Sequence, residues 1–146
     1  MPSRRTAVAV LAAALLGLAA LMTTSAGSAS AATGSCNSGE FCMWYLTGGT
    51  GGLYEFSGSD SNLNDDHFEN ADESAIVGNN TESVRNFGHS DPNGLVDVVV
   101  YDSAGYSGAG LCVKQGGVKT LPTSWFNRIE SYKWVTAATC GRYASI

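Results

Sequence analysis

Beyond residue 33, the apolar positions of this chain never settle into helical spacing. They gather in short runs at 41–45, 95–101 and 131–135, rich in β-branched and aromatic residues. Turn-forming stretches at 47–52, 57–61, 88–94, 103–110 and 115–117 separate them, each dense in glycine, serine or aspartate. Short strands at that spacing predict an all-β fold, either a sandwich or a Greek-key barrel.

The first residues follow a different pattern. Arg4 and Arg5 precede an apolar run over 7–22, and Ala29-Ser30-Ala31 then offers small residues suited to cleavage. The run is shorter than the roughly 20 residues a membrane-spanning helix needs, and no basic stop-transfer segment follows it. Residues 1–32 therefore read as a removable secretory signal peptide. Residues 33–146 are expected as one secreted, extracellular domain, monomeric and without a membrane partner once the leader is gone.

Composition sharpens this picture. The whole chain carries a net charge of −5, and loss of Arg4 and Arg5 with the leader makes it about −7, which disfavours nucleic acid as a partner. Residues 33–93 hold ten acids against Arg85 alone, whereas residues 94–146 hold three acids against five bases. All four cysteines, Cys36, Cys42, Cys112 and Cys140, lie beyond the leader, and an even count in a small exported domain predicts two disulfides. Three pairings are possible; the short separation of Cys36 and Cys42 favours a local loop, leaving Cys112 with Cys140. A zinc site would want a Cys-x-x-Cys pair, and the chain has none.

The chain also repeats itself. Trp44-Tyr45, a glycine-rich turn, residues 53–56 and Gly58 are answered by Val100-Tyr101, a glycine-rich turn, residues 111–114 and Gly116. Each half closes on the same phrase, Asn-x-x-Glu-Ser: Asn79 to Ser83 in the first and Asn127 to Ser131 in the second. Two copies of a four-strand unit, about 36–87 and 95–140, are expected, joined by a loop at 88–94. Only the first copy carries the acidic stretch 64–78, which predicts an exposed inserted loop.

This duplicated series resembles the βγ-crystallin-like proteins. The leader together with Cys36-x5-Cys42 and Trp44-Tyr45 resembles the secreted actinobacterial peptidase inhibitors of family I36. The resemblance implies two Greek-key motifs packed as a βγ-crystallin-like sandwich, and a protein that inhibits an extracellular protease rather than an enzyme. It implies thermolysin-like metalloproteases as targets and a stiff loop docked in the active-site cleft; stiffness matters because a pre-ordered segment avoids the entropy cost of ordering on binding. Tyr101 followed by Cys112-Val113-Lys114 matches in order the family's reactive step, with Val113 as the residue offered to a primed-side pocket.

Other chemistry is weaker. The phrases containing Asn79, Glu82, Ser83 and Asn127, Glu130, Ser131 resemble crystallin calcium motifs, so calcium is a candidate cofactor; the acids within 64–73 are a looser candidate set that lacks the glycine-spaced pattern of an EF-hand loop. Both phrases lack the first acid or amide, and Arg128 sets a positive charge inside the second, which favours a structural role. His67 and His89 are the only histidines. His89-Ser90-Asp91 puts triad residue types side by side, whereas triads are assembled from separate segments, so no catalytic residues are expected. The alternative function is a calcium-responsive or carbohydrate-binding sandwich of the cell envelope, with aromatic residues such as Tyr106 and Trp125 as a sugar face.

Overall fold

The computed structural model describes residues 35–71 and 75–146, so the expected leader, and Asp72 and Glu73 of the acidic stretch, lie outside the described residues. Among the described residues, eight strands, a 3-10 turn and one turn of α-helix follow in order: β1 (Phe41–Leu46), β2 (Thr50–Phe56), β3 (Ser83–Asn86), β4 (Leu95–Ser103), β5 (Ser107–Val113), β6 (Lys119–Thr120), the 3-10 turn (Thr123–Trp125), β7 (Ser131–Thr136), α1 (Ala137–Cys140) and β8 (Ala144–Ser145). None of the described helices is long and apolar enough to cross a membrane.

The strands form two four-stranded sheets, ordered β2-β1-β3-β6 and β7-β4-β5-β8. The two halves trade their third segments. β6 comes from the second half but pairs antiparallel with β3 of the first. Asp60, from the first half, bridges Tyr132 of β7, exchanging N–H···O bonds of 2.9 and 2.8 Å. Each half thus completes a Greek key only with the other's help, and the sandwich holds two disulfides, Cys36–Cys42 and Cys112–Cys140.

The apolar runs explain which faces are buried. On β1, Phe41 and Met43 point between the sheets, where they meet Val84, Val98, Val100, Leu111, Val113 and Tyr132. The alternate residues Cys42 and Trp44 are buried too, because the Cys36–Cys42 loop covers the outer face with Leu53 and Phe87. β4 repeats the arrangement. Val98 and Val100 face the main core, while Val99 and Tyr101 lie under Cys112, Cys140 and Val135 on the outer side. A strand covered on both faces needs a continuous apolar sequence, and the Val98-Val99-Val100-Tyr101 run supplies it. The disulfides therefore pin the outer covers of both sheets.

The inserted stretch differs from the exposed loop expected of it. Phe68 and Val77 are buried in the main core, and Glu69 exchanges N–H···O bonds of 2.7 and 2.9 Å with Leu53. The segment caps the free edge of β2, satisfying backbone groups that an open edge strand would leave unpaired. Phe68 and Val77 anchor the segment, while of its described acids Asp65 and Glu69 stay exposed and Asp66 is half-buried.

Candidate functional site

The Cys112-Val113-Lys114 step occupies the end of β5. Cys112 and Val113 are fully enclosed, with Val113 opposite Val98 and its carbonyl accepting from Asn86 Nδ2 at 3.1 Å. Cys112 is bonded on both sides: it pairs with Val99 of β4, and its carbonyl accepts the Ile146 N–H at 2.9 Å. Lys114 emerges half-exposed and ion-pairs with Asp97 at 2.7 Å. A protease cleft would reach Val113 only if β5 left the sheet.

The two Asn-x-x-Glu-Ser phrases occupy matching places. Asn79 and Asn127 both adopt left-handed backbone, with φ of 60° and 55°, a conformation asparagine tolerates better than most residues. Their N–H groups donate to Ile129 O and Thr81 O at 2.9 and 3.0 Å, tying each phrase to the other. The serines close the hairpins. Ser83 Oγ donates to Leu46 O at 2.6 Å and accepts from the Gly49 N–H at 2.9 Å. Ser131 Oγ donates to Ser103 O at 2.7 Å and accepts from the Tyr106 N–H at 3.1 Å. Glu130 accepts side-chain amide protons from Asn79 at 2.9 Å and from Asn64 at 3.5 Å. The Glu82 N–H donates to Trp44 O, and the Glu82 carbonyl accepts from the Leu121 N–H, both at 3.0 Å. Beside the second phrase, Arg128 pairs with Asp102 at 2.7 Å.

The β1–β2 hairpin presents apolar surface that no sequence pattern singles out. Tyr45 and Leu46 are 39% and 44% exposed, and Val118, lying over Gly49, is 43% exposed. The turn between them is held at several points. Gly48 and Gly49 take φ of 68° and 74°, where a side chain would be strained. The Gly48 N–H donates to Thr120 Oγ1 at 3.2 Å, and Thr50 Oγ1 donates to Thr47 O at 2.8 Å. Exposed apolar residues on a turn that rigid are visible only once the turn is folded.

A cleft of about 420 Å³ opens at the other end of β2, lined by Ser57, Ser59, Gly88, His89, Asp91 and Trp134 among others. Trp134 Nε1 donates to Gly58 O at 2.9 Å, and its ring lies so close to Gly88 that no Cβ would fit there. His89 Nε2 lies 3.5 Å from Ser38 Oγ. Asp91 instead accepts the Leu95 and Asn93 N–H groups at 2.7 and 2.9 Å, and these bonds hold its carboxyl below the usual range. His89, Ser90 and Asp91 thus serve a turn, with the Asp91 carboxylate committed to backbone. Near the exchanged segment, Tyr54 Oη donates to Asp60 at 2.7 Å. Asp66 beside it is pushed up to about 6, first by desolvation and then by the Asp60 carboxylate.

Two exchanged Greek keys with serine-closed hairpins define a βγ-crystallin-like protein. A solved structure described as bearing on the evolution of the eye-lens βγ-crystallin domain fold aligns with a TM-score of 0.52 at 13% identity, over 70% of this chain and 91% of that one. A βγ-crystallin from Ciona intestinalis aligns with a TM-score of 0.49 at 19% identity, over 66% of this chain and all of the other. Comparison with curated proteins finds no match. The model of peptidase inhibitor family I36 matches residues 29–113, and the chain belongs to that family.

Proposed function

We propose that this protein is exported and inhibits an extracellular protease of the thermolysin-like metalloprotease class by seating a stiff surface segment in its active-site cleft. Membership of peptidase inhibitor family I36 carries this reading. The build of the molecule supports it: two disulfides and two serine-closed hairpins keep surface turns in one shape, so binding loses little conformational freedom. The inhibitor does no chemistry of its own in this account; it occupies the cleft and keeps water and substrate away from the metal of its target. Titrating thermolysin-like and subtilisin-like enzymes with purified protein tests the reading. Stoichiometric loss of metalloprotease activity is expected, and undiminished activity of both classes at excess inhibitor would reject it.

In this reading the Asn-x-x-Glu-Ser phrases are structural clasps. Their serine hydroxyls are engaged in hairpin closure, and the Glu130 carboxylate already accepts two amide groups, so a calcium ion would have to displace protein partners. A second reading, a carbohydrate site, has one observation in its favour: the cleft beside Trp134 combines an indole with the Ser57 and Ser59 hydroxyls. Retention on glycan or cell-wall resin, abolished by Trp134→Ala, would support it.

A further inference from the structure

The Cys112-Val113-Lys114 step carries a charge arrangement that the inhibitor reading leaves unused. Asp97 stands two residues before Val99 on β4, and Val99 is the β4 partner of Cys112, so Asp97 shares the outer face of the sheet with the Cys112–Cys140 bridge. The Asp97 carboxylate and the Sγ atoms of Cys112 and Cys140 all lie within 4.8 Å of one another. Asp97 is 4% exposed and both cysteines are fully enclosed, so little water screens the charge from the sulfurs. Its counter-ion is placed differently: Lys114 Nζ lies 2.7 Å from Asp97, but the lysine side chain is 41% exposed and solvent screens it more. The other bridge repeats the pairing of sulfur and acid. The carboxylates of Glu40 and Glu55 lie within 4.8 Å of each other and of Cys42 Sγ.

A carboxylate in that place opposes reductive cleavage. A thiol reduces a disulfide as its thiolate, which attacks one sulfur and expels the other while negative charge spreads over all three. Cys112 is fixed in β5, between β4 and β8, whereas Cys140 is carried by α1, a single turn of helix. Attack at Cys140 forms a mixed disulfide there and expels the Cys112 thiolate beside Asp97, where a second negative charge is least favourable. A second thiolate then attacks the external sulfur of the mixed disulfide and releases Cys140. Two thiols are oxidised to one external disulfide, and their two protons end on Cys112 and Cys140.

We propose that Asp97 shields the Cys112–Cys140 bridge from thiols, keeping closed the clamp that ties α1 and the strand β8 to β5, and that Lys114 tempers the shield. The two residues then act with opposite sign: loss of the carboxylate speeds reduction, and loss of the ammonium slows it. A pair that served packing alone would loosen the bridge whichever member was replaced. The inference stands apart from the protease reading, since it concerns what keeps the sandwich closed in surroundings that contain thiols.

The test sets a neutral thiol, mercaptoethanol, against a cationic one, cysteamine, on the purified native protein, with each bridge followed separately by alkylation and peptide mass. The ratio of the cysteamine rate to the mercaptoethanol rate at Cys112–Cys140 is expected to exceed the ratio in the urea-unfolded chain by about tenfold, between the effect of a charge at that distance in water and near a protein surface. Asp97→Asn should raise the mercaptoethanol rate at this bridge about tenfold and bring the ratio down to the unfolded value. Cys36–Cys42 should react as before. Lys114→Gln should lower the mercaptoethanol rate and raise the ratio. If neither thiol reduces the bridge in the unaltered protein, Asp97→Asn must make it reducible for the inference to stand. Should Asp97→Asn fail to fold, the unaltered protein decides: a ratio equal to that of the unfolded chain overturns the inference. A ratio that a folded Asp97→Asn leaves unchanged overturns it as well, as does equal acceleration by both thiols in both variants, which is the mark of a packing role.

Discussion

Ser83 holds Leu46 in place: its hydroxyl donates to the Leu46 carbonyl at 2.6 Å while accepting the Gly49 N–H at 2.9 Å. One side chain in β3 thus closes the turn of a neighbouring hairpin, and Ser131 does the same for Ser103 and Tyr106. Ser83→Ala leaves both backbone groups to find other partners and should cost about 1–2 kcal/mol, measured by denaturant unfolding. Ser131→Ala should cost a similar amount.

Asn86 is the polar residue most deeply committed between the sheets. It is fully buried, donates to Val96 O and Val113 O, and accepts the Gly88 N–H at 3.0 Å. Replacement by leucine strands three backbone groups at once, for a loss of about 3 kcal/mol or more. Thermal melting should show a large drop, whereas Asn93→Leu, on an exposed turn, should change little.

The two disulfides should differ in value. In the chain-entropy model, the Cys112–Cys140 bridge, separated by 28 residues, is worth about 3.6 kcal/mol, and Cys36–Cys42, separated by six, about 2.2 kcal/mol. Paired serine replacements followed by urea unfolding should show the larger loss for Cys112 and Cys140. The opposite order would mean that the Cys36–Cys42 cover over Trp44 and Leu53 contributes more through packing than through chain constraint.

Acid should affect this fold through Asp66 in an uncommon direction. Its folded-state value lies near 6, above the usual carboxyl value, so the folded chain binds the proton more tightly than the unfolded one. That contribution is fully present below the unfolded value and is lost as pH rises to about 6. Asp66→Asn should flatten this part of the stability profile between about pH 4 and 6, read by melting temperature across that window. Asp91, held low by the Leu95 N–H, contributes with the opposite slope, and Asp91→Asn should remove stability gained as pH rises through the acid range.

Calcium offers a check on the clasps. With the phrase serines and Glu130 already bonded to protein groups, millimolar calcium should leave the melting temperature unchanged. A rise of several degrees that disappears in Glu130→Gln would instead make the second phrase a cation site.

Much of the architecture is legible in the amino-acid sequence. The doubled Asn-x-x-Glu-Ser phrase and the paired glycine turns disclose two copies of one four-strand unit, because a repeated fold needs the same backbone exceptions at the same places; the Greek-key form of each copy comes from the resemblance to crystallins. The even cysteine count and the six-residue spacing of Cys36 and Cys42 likewise point to the pairing that the fold adopts. Exchange of the third segments is hidden, since it is a long-range pairing of Asp60 with Tyr132 and of β6 with β3 that no local pattern records. The inserted stretch misleads in the same way: its acids dominate the composition, yet Phe68 and Val77 decide where it lies.

The site shows the boundary most sharply. Sequence order picks out Cys112-Val113-Lys114, but order cannot tell which strand will be central, and β5 lies between β4 and β8 with Val113 turned inward. Leu46 looks from the sequence like one more alternating apolar residue of β1. Only the folded turn, with Gly48 and Gly49 in left-handed backbone and the Ser83 clasp drawing the chain round, leaves it on the surface. Periodicity, glycines and cysteines determined by themselves that this chain forms a duplicated, disulfide-braced all-β fold, because those constraints are local or act pairwise. Which apolar residues meet solvent was decided by tertiary packing alone, since exposure belongs to the whole surface and not to any stretch of sequence.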